Sequence, residues 1–243
     1  MILVKYGEIA LKGKNRNLFE KKLKENIKDC LKKNQIPFKL VKRHRGRILI
    51  ETENECKQLK DVFGIVSFSY VKEFPLNLEI IKQQALKLYK EGTFRITCKR
   101  ADKIFKKSPE IEREVGAYVV ENTNAKVKLK DPDTTIYIEI FNKQAYIYNK
   151  KHKGLGGLPV GIQGTIGLLL QDETSIDVGI KLMKRGCSLL LIGEGNIDKL
   201  KEYEYGFRLK HGKQSDVFAL AVNDTLNTLR DYNQDKLILR PLI

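Results

Sequence analysis

The segment 154–167 constrains the fold of this chain most strongly, because six of its fourteen residues are glycine. Glycine weakens helices and strands alike, so this segment predicts a connection between separately folded parts. Before it, helical and strand periodicities alternate along the chain. After it, apolar runs without polar alternation predict strands that are buried on both faces.

The first 74 residues predict the order strand, helix, strand, strand, helix, strand. Apolar residues recur at helical spacing over about 16–33, which predicts an amphipathic helix. We expect the second helix over 54–63, with Gly64 as its C-cap. The predicted strands are 1–6, 38–41, 47–51 and 66–74, with a basic turn at 42–46. This order is that of a ferredoxin-like split β-α-β unit.

Residues 75–152 predict a second module with helices and strands. The expected elements are helices over 77–91 and 109–122, strands over 93–98, 134–140 and 144–149, and a basic loop over 99–108. The last two strands form a hairpin around Asn142 and Lys143. The first two modules are therefore expected to be α+β.

The last third predicts a reduced α/β domain. Strand 168–170, helix 173–185 closed by Gly186, and strand 188–192 form a β-α-β unit of the kind found in parallel sheets. We further expect a helix over 216–231 and a strand over 236–239.

Charge is distributed unevenly along the chain. Residues 1–160 carry 35 basic and 19 acidic side chains, whereas residues 161–243 carry 11 of each. A segregated basic field is typical of a protein that binds a polyanion, most often nucleic acid. A lysine-rich or heat-adapted proteome would instead raise the basic content everywhere, and the neutral last third argues against it.

Several classes of protein are disfavoured. The four cysteines have no Cys-x-x-Cys spacing and there are only three histidines, which disfavours a disulfide scaffold and a zinc site. No apolar run reaches the roughly 20 residues of a membrane span, and the N-terminus is charged too early for a signal peptide. We expect a cytoplasmic protein that does not associate with membranes.

Motifs in a consistent order resemble the tRNA 4-thiouridine synthetases, also called tRNA sulfurtransferases. The matching segments are Tyr6–Arg16, Lys99–Lys103, Ser108–Gly116, Val127–Asp133 and Lys153–Gly161. The resemblance implies a ferredoxin-like domain over 1–74, a THUMP RNA-binding domain over 75–152 and a PP-loop ATPase-like domain over 153–243. It also implies that the first two domains grip the acceptor stem and 3′ end of tRNA.

The resemblance fails at the phosphate loop. The family has Ser-Gly-Gly-x-Asp-Ser there, whereas this chain has Gln171, Asp172 and Glu173 at the start of the loop. The family's glycines let backbone N–H groups close on pyrophosphate, and here two carboxylates would repel it. We therefore expect a degenerate loop without a cofactor, in which Asp172 or Thr174 caps the helix. ATP with Mg²⁺ held by Asp172, Glu173 or Asp177 remains the alternative.

Basic residues of the first two domains are the expected RNA contacts. The set is Lys99, Arg100, Lys103, Lys106, Lys107, Arg113, Lys128, Lys150, Lys151, Lys153, Arg43 and Arg45. Arg43 and Arg45 either clamp phosphates or lie at a solvated hairpin tip, and Lys150, Lys151 and Lys153 either hold phosphate or belong to a linker. Phe105 either stacks on a base or anchors its loop in the core.

Three functions compete. The first is a tRNA-binding protein that does not adenylate tRNA. The second is an active synthetase with an atypical ATP site or a separate catalytic partner. The third is a protein that docks another tRNA-modifying enzyme through the neutral domain, and a homo-oligomer also remains open. Because 193–215 is short and the chain stops before the family's sulfur-handling cysteine, we expect no thiolation by this chain. We expect Cys187 to be structural and residues 1–152 to fold alone.

Overall fold

A computed structural model describes residues 1–44, 46–232 and 236–243. It contains two compact units, one formed by 1–3 with 69–152 and the other by 4–68 with 153–243. The mixture of helices and strands confirms the predicted α+β class. In the part of the chain that is described, no helix is both long and apolar enough to cross a bilayer.

Five α-helices and fifteen strands are found in the described ranges. The helices are α1 (Arg16–Lys33), α2 (Leu78–Leu88), α3 (Ser108–Thr123), α4 (Thr174–Lys184) and α5 (Asp198–Lys201). The strands are β1 (Ile2–Lys5), β2 (Leu40–His44), β3 (Arg47–Glu51), β4 (Ser67–Tyr70), β5 (Lys72–Pro75), β6 (Thr93–Arg100), β7 (Lys126–Val127), β8 (Thr134–Phe141), β9 (Gln144–Tyr148), β10 (His152–Lys153), β11 (Thr165–Leu169), β12 (Ser188–Ile192), β13 (Lys210–His211), β14 (Ala219–Ala221) and β15 (Leu237–Leu239).

The N-terminal sheet has the order β10-β4-β1-β3-β2. The predicted helix over 16–33 is confirmed by α1, which buries Leu23, Ile27 and Leu31. The predicted helix over 54–63 is wrong, because the chain forms only a 3₁₀ helix at Lys57–Asp61. Leu59 within this helix and the flanking residues Cys56 and Val62 are buried at every third position, which is the period of a 3₁₀ helix.

Two strand predictions in this region also need correction. The second strand begins at Leu40 and continues to His44, so residues 42–44 pair with β3 instead of forming a turn. The predicted strand 66–74 is two strands, β4 and β5, which belong to different sheets. The chain passes from one sheet to the other at Val71, which lies between them.

The second sheet has the order β5-β9-β8-β6-β7. Ile111, Val115 and Val119 of α3 pack with Ile136 and Ile138 of β8 in its hydrophobic core. Both predicted helices are confirmed within a few residues, and so is the hairpin of β8 and β9. Its turn residues Asn142 and Lys143 both have positive φ, as tight hairpins of this kind require.

The third sheet is parallel throughout and has the order β13-β12-β11-β14-β15. The predicted β-α-β unit of β11, α4 and β12 is confirmed. The predicted helix over 216–231 is wrong, because this segment contains β14 and irregular chain. Residues 219–222 are buried without interruption, as in a strand covered on both faces, and such a short apolar run does not distinguish strand from helix.

Within the second unit, α1 of the ferredoxin-like part docks directly on the parallel-sheet domain. The Asp29 carboxylate accepts hydrogen bonds from the Gly206 amide at 2.8 Å and from the Arg208 guanidinium at 3.0 and 3.1 Å. The side-chain amide of Asn26 donates to the Val160 carbonyl at 3.1 Å. These contacts argue against the expectation that residues 1–152 fold alone.

Candidate RNA interface and nucleotide loop

Six of the predicted RNA contacts lie together where β6 leads into α3. We call this set the β6–α3 ridge, and its members are Lys99, Arg100, Lys103, Lys106, Lys107 and Arg113. The loop of the ridge is held in place from inside the domain. Arg100 donates to the Phe105 carbonyl at 2.8 Å, and the Phe105 ring packs against the hydrophobic core. Phe105 is therefore an anchor of the loop.

Four members of the ridge present their charge to solvent. Lys99, Lys103, Lys107 and Arg113 are exposed, and none of them forms an ion pair within the described residues. Lys106 differs, because its ammonium contacts the Glu114 carboxylate at 2.7 and 2.9 Å. This hydrogen bond lowers the pKa of Glu114. The ridge is thus a cluster of exposed positive charges on a loop that Arg100 and Phe105 anchor to the domain.

The remaining THUMP-region lysines lie outside the ridge. The Lys128 amide bonds to the Phe94 carbonyl at 2.9 Å, near the start of β6, whereas Lys99 lies near its end. The five residue steps from Phe94 to Lys99 span about 17 Å of strand. Lys150 and Lys151 follow β9, and the Lys151 ammonium lies 3.5 Å from the centre of the Tyr137 ring. The sequence-predicted contacts therefore form two groups.

The three other predicted contacts belong to neither group. Arg43 lies in β2 and donates to the Asn17 carbonyl at 3.1 Å, so it is held against α1. Lys153 is exposed in β10. Arg45 lies outside the described residues.

The backbone N–H groups of the loop after β11 form hydrogen bonds with side chains of the same loop. Asp172 accepts from the Thr174 amide at 2.8 Å, and the Ser175 hydroxyl accepts from the amides of Gln171 at 3.0 Å and Asp172 at 3.4 Å. The bond from the Thr174 side chain lowers the pKa of Asp172, so this carboxylate stays charged. The N-cap position of α4 is Glu173, and Asp172 is the residue before it. The Asp172 side chain caps the helix by accepting from the Thr174 amide, as the sequence predicts for Asp172 or Thr174. Residues 171–175 have no positive φ.

The crevice between β11 and β14 is closed by side chains. In an open parallel sheet, ligands bind at the carboxyl ends of the strands, in the crevice at the point where the strand order reverses. In this sheet that point lies between β11 and β14. Here the side-chain amide of Asn223 donates to the Thr174 hydroxyl at 2.8 Å, and the side-chain amide of Gln171 donates to the Tyr232 hydroxyl at 3.3 Å. No pattern in the sequence indicates this closure, because its partners are up to 61 residues apart.

A buried carboxylate, Asp224, holds the chain that follows β14 in place beside the same crevice. Asp224 is fully buried and accepts from Arg240 at 3.1 Å and from the Tyr232 hydroxyl at 3.0 Å. Burial raises the pKa of a carboxyl group, but the hydrogen bonds from Arg240, the Arg230 amide and Tyr232 outweigh it, and the pKa of Asp224 lies below its ordinary value. This cluster holds the chain after β14 over the crevice.

An acidic cavity of about 650 Å³ opens beside the loop. Its acidic lining residues are Asp172, Glu173, Asp177, Glu194 and Asp198, and Lys199 is the basic one. A cavity of this charge repels a triphosphate. The charge of this cavity and the occupied amides of the loop are both unfavourable for a triphosphate. Among the described residues, no three His, Cys, Asp or Glu side chains are arranged to hold a metal ion.

The cysteines offer no exposed thiol for chemistry. Cys30, Cys56 and Cys98 are buried, and Cys187 is half-buried. Burial raises the pKa of the Cys187 thiol, which disfavours the reactive thiolate.

Comparison with known proteins identifies the families of the first two domains. A family model described as the ThiI ferredoxin-like domain matches residues 1–69, and one described as the THUMP domain matches residues 76–150. A Clostridium kluyveri protein named probable tRNA sulfurtransferase is 44% identical over 199 residues, which cover 78% of this chain and 51% of that protein. This chain spans about half the length of the curated relatives it matches.

Two solved structures extend the comparison. PH1313 from Pyrococcus horikoshii Ot3 has a TM-score of 0.89 and 32% identity, covering 100% of this chain and 94% of that one. A 4-thiouridine synthetase in complex with RNA and bound ATP has a TM-score of 0.66 and 31% identity, covering 83% of this chain and 56% of that one. The ferredoxin-like and THUMP domains expected from the sequence are confirmed.

Proposed function

This chain belongs to the tRNA sulfurtransferase family, and we propose that it binds tRNA without itself activating the tRNA with ATP. The β6–α3 ridge is the observation that carries the proposal. Its exposed cations belong to the THUMP domain, and the chain is similar to a synthetase that was solved with RNA. A cytoplasmic location follows from this function.

The ridge suits the backbone of RNA. Lysine and arginine side chains on an ordered loop make sequence-independent contacts with phosphates, which position a nucleic acid without reading its bases. Phe105 is committed to the core and leaves this part of the surface to the charged side chains. We therefore place the ridge against tRNA backbone and leave base recognition to other parts of the surface.

The nucleotide loop supports the second half of the proposal. The amides of Gln171, Asp172 and Thr174 already have acceptors within the loop. A bound triphosphate would have to displace these bonds and overcome the charge of Asp172 and Glu173. We propose that the loop persists because it caps α4 and packs, and that this chain uses no cofactor.

Titration of a fluorescein-labelled tRNA transcript at several KCl concentrations tests the binding. Replacing Lys99, Lys103, Lys107 and Arg113 by Gln should weaken binding by tenfold or more and reduce the slope of log affinity against log salt by about three. The matched control replaces Lys199, Lys201, Lys210 and Lys213 by Gln, which removes the same charge from the neutral domain. Equal binding by the ridge variant and the wild type would contradict the proposal.

Calorimetric titration with ATP and Mg²⁺, with and without tRNA, tests the absence of activation. We expect no binding heat in either case. Incubation with tRNA, ATP and a persulfide donor, followed by mass spectrometry of the digested tRNA, should detect no 4-thiouridine. Stoichiometric thiolation would instead support the alternative, an active synthetase with an atypical ATP site.

A further inference from the structure

The parallel-sheet domain is neutral in total, but the fold separates its charges. Acidic residues gather around the cavity at the start of α4. Three basic residues, Lys181, Lys184 and Arg185, lie at the opposite end of this helix, and we call them the basic end of α4. The helix has 11 residues, so about 15 Å separates its two ends. The equal numbers of basic and acidic residues in this part of the sequence do not reveal this separation.

The charges of the basic end are little used inside the protein. All three residues are exposed, and 76% of the Arg185 side chain is accessible. Arg185 approaches the Glu8 carboxylate only to 3.9 Å, and the Lys181 ammonium donates to the Pro241 carbonyl at 2.9 Å. No ion pair of Lys184 is found within the described ranges.

The helix does not need these side chains to satisfy its last carbonyl groups. The Leu158 amide donates to the Lys184 carbonyl at 2.9 Å. The amides of Arg185 and Gly186 donate to the Leu182 and Met183 carbonyls, both at 2.9 Å. The amides of Gly161, Ile162 and Gln163 donate to the carbonyl of Gly186, two residues beyond the helix, at 2.9 to 3.1 Å. The glycine-rich segment therefore caps this end of α4 with its backbone and leaves the basic side chains available.

The basic end adjoins the ferredoxin-like domain within the same compact unit. A cavity of about 460 Å³ lies between Glu8 and the end of α4. The cations that line this opening are Lys181, Lys184 and Arg185, and Glu8 of the ferredoxin-like domain is the carboxylate in its lining.

We propose that the basic end of α4 contacts the phosphate backbone of the bound tRNA, so that the RNA footprint extends onto the parallel-sheet domain. This inference rests on the proposed tRNA binding. Residues 181, 184 and 185 have i, i+3 and i+4 spacing, so their side chains lie on one face of the helix and can reach one strand of phosphates. Lysine binds phosphate as a point charge, and the contact is expected to be independent of sequence.

The competing explanation is a stabilising interaction of these cations with the negative end of the helix dipole. The two explanations differ in what they change. A dipole interaction affects the melting temperature and leaves tRNA affinity untouched, whereas a phosphate contact affects the affinity and its salt dependence.

The test compares two variants that lose the same charge. One replaces Lys181, Lys184 and Arg185 by Gln, and the control replaces Lys199, Lys201 and Lys210 by Gln. Titration of the labelled tRNA transcript should show about tenfold weaker binding for the first variant, with a salt slope reduced by about two to three. The control should bind within twofold of the wild type.

Circular dichroism melting verifies that each variant is folded. If the triple variant is unfolded, Arg185→Gln alone should reduce the salt slope by about one, since its side chain is outside the core. Wild-type affinity and slope in the folded variant, while the ridge variant is impaired, would overturn this inference alone. Absence of tRNA binding by the wild-type protein would overturn both the inference and the proposed function.

Discussion

The carboxylate of Asp224 shows how a single buried charge is made tolerable. It lies fully inside the protein, where an isolated charge is costly, and it is compensated by Arg240, the Tyr232 hydroxyl and the Arg230 amide. The result is a fixed closure over the end of β14. The same residue therefore matters both for stability and for the shape of the crevice.

We expect Asp224→Asn to lower the free energy of unfolding by about 2 kcal/mol at pH 7, because it weakens hydrogen bonds to a charged group. The folded-state pKa of Asp224 lies below its ordinary 3.8. The stabilisation is therefore present above that value and is lost as the pH falls through the lower folded-state pKa. Urea unfolding of both proteins between pH 7 and pH 3 checks this.

The difference between the two proteins should shrink toward the acid end of that range. Asp231→Asn is the control, because Asp231 is exposed and close in sequence. A difference that is independent of pH would contradict the role assigned to the Asp224 charge.

Single residues could be predicted from sequence only where their partners are local. The sequence predicts Asp172 or Thr174 as the cap of α4, and the bond that Asp172 accepts from the Thr174 amide spans only two residues. The closure of the crevice joins Thr174 to Asn223 across 49 residues. Nothing in the pattern around either residue indicates that pairing, because it depends on which strands become neighbours in the sheet.

The docking of α1 on the 203–209 segment depends on a close approach of two elements. Gly206 has φ +77°, and a Cβ placed on it would lie 1.9 Å from the Asn26 side-chain oxygen. We expect Gly206→Ala to destabilise the protein by about 2–4 kcal/mol, from backbone strain together with the clash. Urea unfolding measures this change.

Gly164→Ala is the matched control. Gly164 has φ +88° but a Cβ there would meet nothing within 4 Å, so that this variant carries the backbone strain alone. We expect it to cost about 1–2 kcal/mol. Equal destabilisation by the two substitutions would show that the contact with Asn26 is not tight.

Glycine substitutions in the loop after β11 test both its role in stability and its proposed inability to bind ATP. Replacing Asp172 and Glu173 by Gly brings back the family's glycines, yet we expect no ATP binding, because Asn223 and Tyr232 still close the crevice. Loss of the Asp172 cap should lower stability by about 1 kcal/mol. Glu173→Gly alone keeps that cap and serves as control. Micromolar ATP affinity in the double variant, measured by calorimetry, would refute this account.

Elements with a clear period were predicted well, and those with short apolar runs were not. The 18 residues of α1 have a continuous apolar stripe, whereas β14 offers only Ala219, Leu220 and Ala221. Strands buried on both faces lose the alternation that identifies a strand. The 3₁₀ helix at Lys57–Asp61 fails for a related reason, since five residues are too few to separate a period of 3.0 from 3.6.

The two compact units do not follow the order of the sequence. Residues 4–68 associate with 153–243, so the ferredoxin-like part shares a unit with a domain that follows 84 residues later. The phenyl ring of Phe63 packs with Val160 and lies 5.4 Å from the Tyr203 ring. A cut after residue 152 removes both of these partners from Phe63.

We therefore expect a fragment of residues 1–152 to be only partly folded. Its THUMP core is complete within 81–147 and should keep its amide protection. Residues 4–68 lose the contacts of Asn26, Asp29 and Phe63, and the exposed apolar surface should make their amides exchange quickly. Hydrogen exchange of the fragment and the full chain, read by mass spectrometry, compares the two regions directly. Protection of 4–68 equal to that in the full chain would show that the ferredoxin-like domain does not depend on the parallel-sheet domain, and that the contacts of α1 with 203–209 are incidental to its stability.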